Sequence, residues 1–155
     1  MPIEIERKFL LRNDDWKLKA NQGTKFKQGY LVGSKDASVR VRIEGDKAYL
    51  NIKSATLGVR RQEYEYSIPM AEANEILQTL CKKPLVEKTR YIVSHNGMEW
   101  EIDVFEGENM GLVVAAIDLQ DEHQKIELPA WCGQEVSSDP RYYNVNLGKH
   151  PYTQW

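Results

Sequence analysis

The chain has 155 residues, with 21 Lys and Arg against 23 Asp and Glu, so its formal net charge is −2. Hydrophobic residues make up 41% and charged residues 28%, a balance typical of a globular protein rather than a disordered one. This length fits one domain spanning residues 1–155. The lack of a basic excess argues against general nucleic-acid binding.

The cysteines and the N-terminus favour a cytoplasmic protein. Cys81 and Cys132 are too few and too far apart for a disulfide framework or a zinc pattern. The N-terminus carries acidic residues where a signal peptide would be basic and then apolar. The longest uncharged apolar stretch, residues 111–117, is too short to span a bilayer. We therefore expect a cytoplasmic protein that binds neither nucleic acid nor a membrane.

Alternation of apolar and polar residues with a period of two dominates the chain and predicts β-strands. In chain order, the predicted strands span residues 3–11, 25–32, 38–44, 47–54, 61–68, 86–94, 98–106 and 112–119, with a ninth candidate at 124–128. Two tight hairpin turns are predicted at residues 44–47 and 95–97. The second contains Asn-Gly, the preferred pair of a type I′ turn.

Helices are few in the predicted structure. The clearest begins after Pro69, where apolar residues recur at helical spacing. These apolar residues are Ala73, Ile76, Leu77 and Leu80. Shorter helices are predicted over residues 14–20 and 142–147. The sequence therefore predicts a mainly β (α+β) protein in which about eight antiparallel strands are covered by a few helices.

The polar faces of these strands carry an unusual number of charges. The charged residues that point to this face are Glu4, Glu6 and Lys8; Arg40 and Arg42; Lys53; Arg61, Glu63 and Glu65; Lys88 and Arg90; Glu101 and Asp103; and Asp118. One interpretation is an ordinary solvent face with acids and bases paired across strands. However, a solvent face repeated over seven strands would normally include more Thr, Ser and Gln.

The alternative is a closed barrel with a charged interior. About eight strands can close around a small ligand. Buried charges are tolerated when they pair with one another or with an ionic ligand. Inward arginines suit phosphate because guanidinium binds its oxygens in pairs, and acids beside them suit a hard divalent cation. The strand pattern thus favours a phosphate and metal site inside a barrel.

These motifs resemble the CYTH superfamily of triphosphate tunnel metalloenzymes, whose ExExK signature matches Glu4-Ile5-Glu6-Arg7-Lys8. Further matching segments are Gln28-Gly29-Tyr30-Leu31, Val39-Arg40-Val41-Arg42, Asn51-Ile52-Lys53, Lys88-Thr89-Arg90-Tyr91, Glu101-Ile102-Asp103 and Asp139-Pro140-Arg141-Tyr142-Tyr143-Asn144. The last of these resembles the compact bacterial branch. The resemblance implies an eight-stranded antiparallel closed β-barrel that hydrolyses inorganic triphosphate with Mg²⁺ or Mn²⁺ at two sites.

The resemblance also implies roles for individual residues. The implied phosphate-binding residues are Lys8, Arg40, Arg42, Lys53, Lys88 and Arg90. The implied metal ligands are Glu4, Glu6 and Asp118, and the implied catalytic residues are Lys53, Lys88 and Tyr30. The remaining acids of the tunnel are Glu63, Glu65, Glu101 and Asp103. A C-terminal helix within residues 141–155 could cover one mouth of the tunnel, either as ordinary packing or as a gate.

The chain departs from the family pattern on its last predicted strand. The family commonly has Glu-x-Glu there, whereas this chain has Ala116 followed by Asp118. Loss of a carboxylate should weaken the binding of a hard cation. We therefore hypothesise that the chain binds triphosphate but hydrolyses it slowly, whether Ala116 is natural or engineered.

Other functions in the same fold stay open at this stage. A non-catalytic module that binds polyphosphate or nucleotide phosphates is the alternative from a different class. A class IV adenylate cyclase or a thiamine triphosphatase would also need room for an organic group, and the short chain shows no added segment for one. These considerations favour inorganic triphosphate as substrate, with nucleoside triphosphates as a further candidate and the oligomeric state open.

Overall fold

The computed structural model describes residues 3–34, 36–54 and 59–155. The strands are β1 (Ile3–Leu11), β2 (Thr24–Gly33), β3 (Ala37–Glu44), β4 (Lys47–Ser54), β5 (Arg60–Ser67), β6 (Val86–His95), β7 (Met98–Phe105), β8 (Val113–Asp118) and β9 (Cys132–Glu135). The α-helices are α1 (Met70–Thr79) and α2 (Asn144–Lys149). Short 3₁₀ helices span Asp15–Lys19, Gly107–Asn109, Pro140–Tyr142 and Tyr152–Gln154.

Eight strands close into an antiparallel barrel in the order β1-β5-β4-β3-β2-β6-β7-β8, and β8 returns to β1. Strand β1 closes the barrel because its two halves pair with different strands. Its first residues pair with β5, where Glu4 lies opposite Arg61, and the residues from Glu6 onwards pair with β8. Strand β9 adds to the far end of β1. The predicted eight-stranded closed barrel is confirmed.

The ninth predicted strand was placed in the wrong segment. Residues 124–128 form no strand, and β9 lies further along at Cys132–Glu135. The Gln124 side chain accepts a hydrogen bond from the Gln120 backbone N–H at 2.8 Å, and the Gln124 backbone N–H donates to Asp121. Because these local bonds close a turn, the segment cannot extend into a ladder there.

The turn and helix predictions are mostly confirmed. Asn96 and Gly97 both have positive φ, 51° and 74°, as a type I′ turn requires. In α1, Ala73 and Leu77 are buried against the barrel. Leu80, expected on the same apolar face, is 65% exposed because the helix ends at Thr79.

Apolar residues pack on both sides of the barrel wall. One outer cluster surrounds Trp100, which is 1% exposed and lies 5.7 Å from Phe9 and 5.5 Å from Trp131 between ring centroids. A second outer cluster lies beneath α1. A third cluster fills one end of the barrel beneath α2; its members include Leu10, Val86, Phe105, Val114 and Leu147. We call this the apolar end, and it leaves the charged cavity in the rest of the interior.

Among the described residues, every helix is too short or too polar to cross a lipid bilayer.

Candidate active site

A cavity of about 430 Å³ occupies the charged part of the barrel. Its charged lining comprises Glu4, Glu6, Arg40, Arg42, Glu44, Lys53, Arg61, Glu63, Lys88, Arg90, Glu101 and Asp118. These residues come from seven strands, and they face inward because side chains alternate across each strand. We call this space the charged cavity. Most of the predicted site residues therefore meet in one place.

A second cavity of about 350 Å³ lies at the rim beside α2. Tyr30 lines this cavity rather than the charged one, together with Tyr143 and Asn144. Arg61 and Asn144 line both spaces and so stand between them. Tyr30 is therefore placed at the rim, next to the cation of Arg40, its Cα partner on β3.

Lys88 is the most enclosed cation of the site. Its Nζ lies 2.8 Å from a carboxylate oxygen of Asp103 and donates to the Asn144 side-chain oxygen at 3.3 Å. The rings of Phe26 and Phe105 lie 5.7 and 5.5 Å from Nζ. Burial lowers the pKa of Lys88 to about 7, although Asp103 opposes this shift. Lys88 can therefore change charge near neutral pH.

Arg90 holds Asp103 from the other side. Two guanidinium nitrogens donate to the two oxygens of Asp103 at 2.8 and 3.0 Å, and a third donates to Glu101 at 3.0 Å. Burial alone would raise the pKa of Asp103, but Arg90 and Lys88 outweigh it and hold the pKa well below its usual value. Asp103 is thus a permanent anion that fixes both cations in place.

Lys53 forms a second buried group with acids from neighbouring strands. Its Nζ lies 3.2 Å from Glu4 and 2.8 Å from Glu63. Burial, reinforced by Arg40, lowers the pKa of Lys53 to about 8. Arg61 also binds Glu4, at 3.2 Å. Glu4 therefore forms ion pairs with two cations here.

Arg42 pairs with acids that are more exposed, and Lys8 pairs with a more distant one. Arg42 contacts Glu44 at 3.3 Å and Glu65 at 3.0 Å, near the solvent-exposed end of the cavity. Lys8 lies 3.8 Å from Glu6, and burial lowers its pKa. Lys8 lines a small adjoining space of about 20 Å³ rather than the main cavity.

Arg40 leaves more of its guanidinium unpaired than Arg42, whose Nε alone lacks a partner among the described residues. Within the described ranges, the Nε and Nη2 of Arg40 lack hydrogen-bond partners although the residue is only 4% exposed. A buried cation with free donors is costly unless an anion satisfies them. Arg40 is therefore preorganised for an anionic ligand.

Three carboxylates form the candidate metal centre: Glu6 on β1, Glu101 on β7 and Asp118 on β8. Their ligand oxygens all lie within 4.8 Å of one another. Burial, reinforced by Glu6 and Glu101, raises the pKa of Asp118 to about 7. A hard divalent cation would relieve this repulsion, and three carboxylates are the donor set that Mg²⁺ and Mn²⁺ prefer. We call these three residues the acid trio.

The acid trio differs from the ligand set expected from the sequence. Glu4 is held by Lys53 and Arg61 and does not belong to the trio, whereas Glu101, expected only as a further tunnel acid, does. Ala116 faces the interior and is the Cα partner of Glu101 on β7. The carboxylate of Glu101 on the neighbouring strand therefore lies beside position 116, where the family pattern has glutamate and this chain has alanine.

Sequence reasoning assigned no role to three polar residues of the cavity, Glu44, Arg61 and Asn144. Arg61 shares a face with Glu63, a signal that the alternation on β5 already contained. Asn144 comes from α2, and only the docking of this helix onto the barrel brings it to Lys88. The helix covers the apolar end, while a gating role for this segment stays a prediction.

Comparisons with known proteins agree with this barrel. The family model described as CYTH domain matches residues 2–145. An inorganic triphosphatase of Acetivibrio thermocellus is 52% identical over 152 residues, covering 98% of this chain and 97% of the relative. One from Nitrosomonas europaea is 36% identical over 149 residues, covering 93% and 95%.

A solved structure is also similar. The crystal structure of an inorganic triphosphatase matches with a TM-score of 0.67 and 31% identity, covering 93% of this chain and 96% of that one. Together with the matched motifs and the charged barrel interior, these similarities show that the chain belongs to the CYTH domain family.

Proposed function

We propose that this chain hydrolyses inorganic triphosphate to pyrophosphate and phosphate with a divalent cation, and that residues 1–155 act as one domain. The observation that carries the proposal is one cavity of about 430 Å³ that is lined by six cationic side chains and by the acid trio. The full-length relatives that are inorganic triphosphatases support the same reaction.

In this proposal the cations bind the substrate. Arg40 would bind phosphate oxygens through its free donors, and Arg42, Lys53, Lys88 and Arg90 would supply further charge around the chain of phosphates. Phosphoryl transfer requires little covalent help from a protein, so positioning and charge stabilisation provide most of the catalysis. Ion pairs with Glu63 and Asp103 hold the lysines in place before the substrate arrives.

The acid trio would hold the metal ion. Mg²⁺ or Mn²⁺ at Glu6, Glu101 and Asp118 would supply Lewis acidity toward phosphate oxygens. Glu4 would contribute by orienting Lys53 and Arg61, as its ion pairs indicate. A second metal site stays a prediction, as does a positioning role for Tyr30 at the rim.

The slow turnover hypothesised from Ala116 also stays a prediction. With Glu101 as the neighbouring carboxylate, we propose that the metal centre is complete without an acid at position 116. Ala116→Glu tests the two alternatives. A faster rate or a lower metal requirement would favour an impaired wild type, and an unchanged rate and requirement would favour a complete centre.

Phosphate release from tripolyphosphate, ATP and thiamine triphosphate, each with and without Mg²⁺ or Mn²⁺, tests the function. We expect metal-dependent release with tripolyphosphate as the preferred substrate. Arg40→Ala should reduce this activity, whereas Arg12→Ala removes an exposed arginine and should not. Tight binding without release would instead indicate a binding module, and formation of cyclic AMP with pyrophosphate from ATP would indicate a cyclase.

A further inference from the structure

Asn144 reaches the charged cavity from a helix rather than from the barrel wall. It is the first residue of α2, and it lines both the charged cavity and the second cavity at the rim. Its side-chain oxygen Oδ1 accepts a hydrogen bond from Nζ of Lys88 at 3.3 Å. Lys88 has a proposed role in binding phosphate, whereas Asn144 so far has none.

The docking of α2 rests on contacts other than this hydrogen bond. Leu147 is 0% exposed in the apolar end. Nζ of Lys149 donates to a backbone oxygen of β2 at 2.9 Å, and the Asn146 side chain donates to a backbone oxygen of the preceding 3₁₀ helix at 2.8 Å. Because these contacts already hold the helix, the bond between Asn144 and Lys88 is better explained by its effect on the lysine.

The ammonium group of Lys88 is held by acceptors on two different elements. An ammonium group has three N–H donors, and two fixed acceptors stop its rotation. Asp103 on β7 lies 2.8 Å from Nζ, and Asn144 on α2 binds a second donor. The third donor then has one direction, and Lys88 itself lines the charged cavity. The two acceptors therefore leave one oriented donor for a ligand oxygen.

The same hydrogen bond favours the charged form of Lys88. Burial lowers the pKa of Lys88 to about 7, the two arginines nearby reinforce this shift, and Asp103 opposes it. A hydrogen bond from the ammonium to a neutral amide oxygen stabilises the protonated form without adding a charge. The charged groups that act on Nζ are Asp103 and Glu101 on β7, Arg90 on its own strand and Arg40 on β3.

We propose that Asn144 is a positioning residue that fixes the ammonium group of Lys88 and directs its remaining N–H donor at a phosphate group in the charged cavity. Docking of α2 would thus complete the set of phosphate-binding cations. The proposal rests on the proposed function, because a phosphate ligand is what the oriented donor would bind.

The first test is the titration of Lys88 in the ligand-free protein in EDTA. Side-chain ¹³C NMR of labelled lysines follows its Cε signal, which Lys88→Met identifies by its absence. Asn144→Leu keeps roughly the size of the side chain and removes the acceptor, so the pKa of Lys88 should fall by about 0.5–1. Asn144→Asp places a carboxylate beside Nζ and should raise this pKa. An unchanged titration of Lys88 in both variants would overturn the proposal.

The second test is the affinity for tripolyphosphate, measured by calorimetry in EDTA at pH 7. Asn144→Leu should raise the dissociation constant about two- to fivefold, because a smaller fraction of Lys88 is charged. The same substitution in Lys88→Met should leave the dissociation constant unchanged, because Asn144 acts through the lysine. The matched control is Asn146→Ala, which removes a different side-chain hydrogen bond of α2 and should change neither the titration of Lys88 nor the affinity.

An equal loss of affinity in the wild-type and Lys88→Met backgrounds would overturn the proposal and assign Asn144 a role that does not pass through Lys88. If Asn144→Leu does not fold, Asn144→Asp decides alone, and an unchanged titration of Lys88 would then overturn the proposal. Neither measurement requires turnover. Wild-type binding without phosphate release would refute the proposed function and leave the role of Asn144 readable.

Discussion

Replacing Lys88 by methionine tests how a buried cation of the charged cavity acts. Methionine suits the site because Nζ lies between the rings of Phe26 and Phe105, and a thioether packs well against aromatic rings. Asp103 keeps its two hydrogen bonds from Arg90 in the variant, so no buried carboxylate is left alone. We therefore expect Lys88→Met to fold.

The expected loss follows from the contact that Lys88 would make with phosphate. A hydrogen bond to a charged group contributes about 1.5–3 kcal/mol, so Lys88→Met should weaken tripolyphosphate affinity about 10- to 150-fold. The wild type should also lose affinity as pH rises. With a pKa of about 7, the fraction of Lys88 that is charged falls about tenfold between pH 6 and pH 8.

The assay is calorimetric titration of tripolyphosphate between pH 6 and pH 8, with Lys88→Arg as the control. Arginine stays charged over this pH range, so the affinity of Lys88→Arg for tripolyphosphate should change only with the titration of the ligand and of other groups. The wild-type affinity should fall relative to Lys88→Arg by about tenfold over this range. Parallel pH profiles for the two proteins would refute the assignment of this titration to Lys88.

Unfolding of the ligand-free protein provides an independent check on Lys88. Between pH 7 and pH 10.5 the unfolded chain binds a proton at this lysine that the folded protein does not. The free energy of unfolding should therefore rise with pH across this window, and more so in the wild type than in Lys88→Met. Equal slopes in the two proteins would contradict the lowered pKa.

Three further predictions concern the metal centre and the core. Glu101→Ala should raise the Mn²⁺ concentration for half-maximal hydrolysis about tenfold or more. Adding Ala116→Glu to this variant should bring that concentration part of the way back. An unchanged Mn²⁺ concentration in Glu101→Ala would exclude Glu101 from the metal centre. Because burial and neighbouring acids raise the pKa of Asp118 to about 7, this Mn²⁺ concentration should rise about tenfold from pH 8 to pH 6. A flat profile would count against Asp118 as a ligand. Trp100→Ala should lower the free energy of unfolding in urea by about 3–5 kcal/mol, and a loss under about 1 kcal/mol would show that Trp100 is not central to packing.

Much of the barrel could be predicted from the sequence because its strands alternate cleanly. Strand β1 has the predicted limits, and the Asn-Gly pair at residues 96–97 forms the predicted turn. The charged face could also be predicted, because charges recur at every second residue over seven strands. Because the barrel closes, the strand faces that carry these charges line one common cavity.

The pairing of charges inside the barrel could not be predicted from the sequence. Whether Glu4 meets a metal or Lys53 depends on the stagger between β1, β5 and β4, which periodicity does not fix. The same stagger places Glu101 opposite Ala116 and so completes the acid trio.

The apolar end of the barrel interior could not be predicted from the sequence for a related reason. Val114 and Leu10 face inward like the charged residues, and only the docking of α2 over them makes a core there.

The most direct test of the central claim is a ³¹P NMR time course of tripolyphosphate with the wild-type protein and Mn²⁺ or Mg²⁺. We expect pyrophosphate and phosphate to appear in equal amounts, and excess EDTA to stop their formation. Tripolyphosphate that binds in the charged cavity but persists unchanged with metal present would contradict this claim.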